Sequence, residues 1–261
     1  MSVDRRAAES LLSFWTDAGV DTVYGEGAVD RMAARAMPGP RLMPPDSRLS
    51  PSPQSHANAG RGRDLAGAAA DLDALAAAIA AYDGCALKTQ GARQAVFGRG
   101  AADAAIMIIG EGPGADEDAQ GAPFVGRAGR LLDKMLAAAG LEGRVFITNT
   151  VFWRPPGNRT PTSEEQLACA PFLERAIELV RPRVLLLVGA AAAKSLLDRS
   201  EGILALRGRW FEWRASSIDL EIPALPTLHP AFLLRQPAAK KRAWQDLLLL
   251  AERVDRAERP D

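Results

Sequence analysis

A three-layer α/β/α fold, with helices on both faces of a central, mainly parallel four-stranded sheet, is predicted by three features of this sequence. Short apolar runs of strand length recur at 105–109, 145–148, 184–188 and 222–227. Segments of helical length and period separate them, at 128–139, 163–180 and 190–197, and a last one follows at 239–254. Polar segments rich in glycine or proline come directly after three of the strands. Such loops gather at the carboxyl edge of an open parallel sheet, where ligands bind.

In chain order, residues 5–18 place Leu11, Leu12 and Trp15 at helical spacing. From 37 to 63 the composition turns to Pro, Ser, Gly and Asn, which predicts an irregular linker. An alanine-rich helix is expected at 65–82. The chain therefore divides into an N-terminal helix plus linker, 1–63, and an α/β domain, 64–261. Ser163 with Gln166 three positions on reads as a capping box that starts the 163–180 helix. The segment GRWFEWR at 208–214 predicts an added strand or hairpin, and no internal repeat is evident.

Composition sets limits on function. In 261 residues, 32 Lys and Arg balance 32 Asp and Glu, so a nucleic-acid partner would need a local basic surface. No apolar run reaches the roughly 18–20 residues that span a bilayer, and the first residues carry no signal-peptide pattern, so no membrane partner and a cytoplasmic location are expected. Cys85 and Cys169 are the two cysteines, too few for a disulfide scaffold or a four-cysteine metal site.

Three segments carry candidate chemistry. The first is GEGPGADED at 110–118, continued by GAPFVG at 121–126. Glycines after a strand let backbone N–H groups approach a ligand. Neither the dinucleotide fingerprint nor a P-loop is present. Asp116, Glu117 and Asp118 would repel phosphate but suit a developing cation or an activated water; alone, the segment reads first as an acidic loop capping a helix. The second has Asn149 at a strand end, then WRPPGNR at 153–159. An amide offers donor and acceptor side by side, as a nucleobase edge requires, and Arg154 and Arg159 could hold phosphates. The third is TLHPAFLLR at 227–235, with Lys240, Lys241 and Arg242 beyond it. His229, fixed by Pro230, can donate to an anion forming beside it. Phe232, Leu233 and Leu234 could wedge into a base stack, or simply begin packing a helix.

These residues resemble a known family. GEGPGADEDAQGAPFVGRAGRLLDKML is similar to the first motif of the family 4 uracil-DNA glycosylases, the bacterial and archaeal iron–sulfur group. NTVFWRPPGNRTPT and LHPAFLLR resemble the second and third motifs, in order and at fitting spacing, and the similarity runs from about residue 82 to 250. The resemblance implies uracil-containing DNA as partner and hydrolysis of the glycosidic bond of a flipped-out deoxyuridine. It implies that Phe124 stacks on the base, Asn149 reads O4 and N3, and His229 bonds O2 of the departing anion. Gly110, Glu111, Gly112, Pro113 and Gly114 would complete the pocket, and Glu117 would position water or stabilise the sugar cation. Arg154, Asn158, Arg159, Phe232, Leu233 and Arg235 are the implied DNA contacts. A monomer is expected.

Two departures stand out. The family's cluster takes four cysteines, and this chain has Tyr82 and Trp153 at two of those positions, keeping Cys85 and Cys169. The expectation is therefore no cluster and no metal, with aromatic packing in its place. Gly112 and Gly114 stand where better-known uracil-DNA glycosylases carry a water-activating Asp and a bulky Tyr. Room near C5 then predicts a base range beyond uracil. Two other readings are a superfamily member that binds or traps DNA without turnover, and a nucleotide-binding regulatory α/β domain. The trapping histidine has no counterpart in GILALRGRWFEWR, and the acidic run without a lysine disfavours phosphate binding.

Overall fold

The computed structural model describes residues 53–216 and 218–258. Its sheet contains β1 (Gly98–Gly100), β2 (Ile106–Gly110), β3 (Val145–Asn149), β4 (Val184–Val188), β5 (Phe211–Arg214) and β6 (Glu221–Thr227), in the order β1-β3-β2-β4-β6-β5. The four middle strands are parallel and are the expected four; short antiparallel strands close both edges. The hydrophobic 208–214 segment supplies β5, whereas β1 is too short to leave a period in the sequence. Strand order reverses around β2, with β3 on one side and β4 on the other, which opens a crevice at the carboxyl ends.

The middle strands are buried on both faces, and alternate residues feed two cores. Ile106, Ile108, Ile147, Leu186 and Leu225 pack against α4 (Arg127–Ala138) and α9 (Lys240–Glu258) through Leu132, Leu136, Leu247 and Leu250. Met107, Ile109, Phe146, Leu185 and Leu187 face α2 (Leu72–Ala81), α5 (Ser163–Val180) and α6 (Ala190–Leu197). Short helices α3 (Ala115–Gln120), α7 (Ile203–Leu206) and α8 (Pro230–Arg235) lie in the connections. Among the described residues no helix is long and apolar enough to cross a membrane.

Two local expectations change. The α5 capping box is built one residue earlier than Ser163: the Thr162 hydroxyl accepts from Glu165 N (3.3 Å), and the Glu165 carboxylate accepts from Thr162 N (2.8 Å). The linker expected to reach 63 gives way to a helix, α1 (Pro53–Ala68), while the 5–18 segment lies outside the described residues. Gly60, Gly62 and Gly67 hide α1 from propensity reasoning. Tertiary packing supplies what propensity lacks. Ala59, Gly62 and Ala66 form a buried seam against α5, and a Cβ on Gly62 would sit 3.2 Å from the Phe172 ring. The Tyr82 hydroxyl donates to Asn58 O (2.8 Å), and the Arg175 guanidinium donates to Ala69 O (2.8 Å) just past the helix end.

Candidate active site

A cleft of about 430 Å³ opens at the carboxyl ends of the parallel strands. All three predicted segments line it, with Glu111, Gly112, Pro113, Gly114, Glu117 and Phe124 from the first, Asn149, Asn158 and Arg159 from the second, and His229, Phe232 and Arg235 from the third. Gly110 underlies them at the end of β2, in register with Asn149 on β3. The Thr150 hydroxyl donates to Glu111 O (2.6 Å), and Thr150 N donates to Gly110 O (2.9 Å), which fastens the glycine loop to the neighbouring strand end.

Asn149 is buried, and its Oδ1 has no hydrogen-bond partner. A buried acceptor left open is costly, about 1–3 kcal/mol, and such positions point to a ligand donor. Phe124 holds a left-handed backbone (φ 54°), uncommon for an aromatic residue. Its ring faces that of His229, centroids 5.8 Å apart and 30° from parallel.

His229 follows the end of β6 by two residues and caps α8, with Pro230 in the first turn. Its Nδ1 accepts from Ala231 N (3.1 Å), so the neutral ring carries its proton on Nε2. Burial, helped by the Arg235 cation, pushes its pKa down to about 4. A neutral Nε2–H donor therefore persists throughout the physiological range. The Glu117 carboxylate lies within the first segment, accepting from Gly114 N (3.1 Å) and Gly126 N (2.9 Å). It pins both ends of the loop while keeping its charge beside the cleft.

The predicted DNA contacts separate. Arg154 donates through Nε to Asn158 Oδ1 (2.7 Å) and is outside the cleft lining. Arg159 spends its fork on Glu165, with bonds of 2.6 and 2.8 Å. Burial alone would raise the Glu165 carboxyl; the Arg159 guanidinium and the Thr162 N–H outweigh it and hold the pKa below the ordinary value. Leu233 is fully buried, which corrects its reading as a wedge: on α8 it turns into the core, while Leu234 is exposed. Sequence reasoning missed the contribution of β4. Gly189, which follows that strand, lines the cleft, and a Cβ there would sit 3.2 Å from His229. The glycine closing the apolar run at 184–188 was the available signal.

Comparison with known proteins agrees with this geometry. The sequence profile described as "Uracil DNA glycosylase superfamily" matches residues 97–248. A Type-4 uracil-DNA glycosylase of Pyrobaculum aerophilum is 40% identical over 184 residues, covering 69% of this chain and 92% of that protein. Those of Thermotoga maritima and Archaeoglobus fulgidus are 42% and 37% identical, over 56% and 60% of this chain and 75% and 80% of theirs.

These relatives overturn the expectation of an absent cofactor. Type 4 is the iron–sulfur group, so the family carries the cluster that the cysteine count argued against. Cys85 and Cys169, both buried with sulfurs 3.8 Å apart, are the thiols placed to meet such a group. Around them Tyr82 packs on Phe172 at 4.9 Å, its phenol pushed up to about 12 by burial and then by the two thiols, and Trp153 is buried beside Phe152. Among the described residues no three His, Cys, Asp or Glu side chains are arranged to hold a metal ion, and Cys85 and Cys169 are the two thiols that would hold such a group.

Profile, relatives and the convergence of three loops on one cleft agree, and the chain belongs to the uracil DNA glycosylase superfamily.

Proposed function

We propose that this chain excises uracil from DNA by hydrolysing the N-glycosidic bond of a flipped-out deoxyuridine, leaving an abasic site. The observation that carries the reading is the unpartnered Asn149 Oδ1, buried in the same cleft as the Phe124 ring and the Nε2–H of His229. Uracil offers N3–H to that oxygen and O4 to the amide nitrogen, whereas cytosine presents the opposite order. The base stacks on Phe124, and backbone groups from Gly110 to Gly114 surround it. As C1′–N1 breaks, the electron pair passes to the base, and His229 donates to O2 of the resulting anion. The Glu117 carboxylate stabilises the cationic sugar, to which water then adds at C1′, releasing one proton to solvent as its O–H bond breaks.

Arg154, Asn158, Arg159 and Arg235 edge the strand-binding side, with Arg159 positioned through Glu165. Phe232 and the exposed Leu234 are the side chains suited to fill the space the base vacates. The reading extends to other deaminated bases, supported by Gly112 and Gly114 lining the cleft without side chains. We further propose a monomer, since a single flipped base needs one cleft, and a cytoplasmic location, where reduced thiols such as Cys85 and Cys169 persist. The test is alkali-sensitive cleavage of a uracil-containing oligonucleotide, with Asn149→Ala and His229→Ala as losses. Cleavage that survived both would remove these residues from the site. Oligonucleotides with hypoxanthine, xanthine or mismatched thymine test the base range, and release of uracil alone would refute the wider one.

A further inference from the structure

Arg99 lies outside the cleft, on the edge strand β1, yet it holds the wall of the base pocket from behind. Its Nε donates to Pro123 O (2.8 Å), and Nη2 donates to Phe124 O (3.3 Å) and to Asp133 on α4 (2.6 Å). An extended chain turns successive carbonyls to opposite sides. The left-handed turn at Phe124 brings two of them to one side, where a single planar guanidinium takes both. The loop is also pressed against α4: the Phe124 carbonyl oxygen lies 1.6 Å from where a Cβ on Gly129 would be. Phe124 is thus gripped between a cation on β1 and bare backbone on α4. Its ring can then keep a fixed tilt towards His229.

We propose that Arg99 is a positioning residue for base stacking, setting the orientation of Phe124 and through it the affinity for uracil. The proposal rests on the uracil-excision reading. It separates Arg99 from the basic residues facing DNA, because this guanidinium meets two carbonyls and a carboxylate of its own chain.

The experiment is a double-mutant cycle on a uracil-containing oligonucleotide, using Arg99→Met, Phe124→Ala and the pair. Free-uracil inhibition and thermal melting are recorded for each. Arg99→Met is expected to weaken uracil inhibition and to lower kcat/KM roughly tenfold to a hundredfold, as displacement of a reacting group does. Arg99→Lys, which keeps charge and one donor, should fall between. In the Phe124→Ala background Arg99→Met should add nothing, because the ring it orients is gone. Equal losses in both backgrounds, or unchanged uracil inhibition by Arg99→Met, would overturn the proposal. Should Arg99→Met not fold, the same cycle with Arg99→Lys decides it by the same criteria. Failure of the unaltered protein to release uracil would instead defeat the activity on which the proposal rests.

Discussion

Gly110 and Asn149 are register partners across β2 and β3, and the gap between them is narrower than a methyl group: a Cβ on Gly110 would stand 2.5 Å from Asn149 Oδ1 and 2.6 Å from the Phe124 ring. Gly110→Ala should therefore occupy the floor of the pocket. We expect kcat/KM on uracil-containing DNA to fall roughly tenfold to two-hundredfold, the usual worth of one carbon in a fitted pocket. Inhibition by free uracil should weaken in parallel. Unchanged inhibition would place the base elsewhere.

Neutrality of His229 can be seen directly. Its folded pKa of about 4 lies below the ordinary value of about 6.5. Between those values the unfolded chain takes up a proton that the folded chain refuses. This residue therefore lowers stability as pH falls from about 6.5 towards 4, and has no such effect above that window. Nitrogen-15 spectra should show a neutral Nε2–H tautomer at pH 8 and still at pH 5, with the resonance identified by its loss in His229→Gln. A midpoint near 6.5 would remove the neutral donor from the mechanism.

Glu165 joins the cap of α5 to the segment bearing Arg159. Replacing it with glutamine should lower stability by about 1 kcal/mol, since Arg159 is half-exposed and its ion pair is partly screened. The folded carboxyl pKa is depressed, so this contribution is present at neutral pH and disappears as pH falls through the folded value. Urea denaturation at pH 7 and pH 3 should show the gap between the two proteins closing at the lower pH. A gap of the same size at both would exclude the ion pair as its source.

The seam between α1 and α5 leaves no space for a larger side chain. Gly62→Val should lower stability by about 1–3 kcal/mol through overpacking against Phe172. Uracil release per folded molecule should be retained, because α1 contributes no residue to the cleft. Proteolysis followed by mass mapping should find new cleavage within 53–68. A melting temperature equal to that of the unaltered protein would show that α1 does not pack as described.

The four parallel strands were legible because each is a short, largely buried apolar run, and three of them are followed by a polar loop. Asn149 and His229 could be found because they are chemically distinctive and stand at such ends. Other features left no local trace. The α1 helix contains three glycines and is held by contacts to residues more than a hundred positions away. Three residues of β1 carry no period, so Arg99 had nothing to mark it. Leu233 and Leu234 are indistinguishable in sequence, and only the short α8 helix turns one inward and the other out. The cofactor was expected to be absent because Tyr82 and Trp153 stand at two of the four cluster positions, and the type-4 relatives overturn that expectation.

Asp246 on α9 is completely buried, accepting from the Thr227 hydroxyl (2.7 Å) and from Arg207 Nε (3.0 Å). Thr227 is two residues before His229 on the same backbone, so Asp246 ties the final helix to the segment that bears the His229 imidazole. Heating that loosens α9 will then displace the donor before the sheet melts. Amides around 227–229 should exchange with solvent at the rate of α9 rather than of β2, and the temperature at which turnover is lost should lie below that of global unfolding.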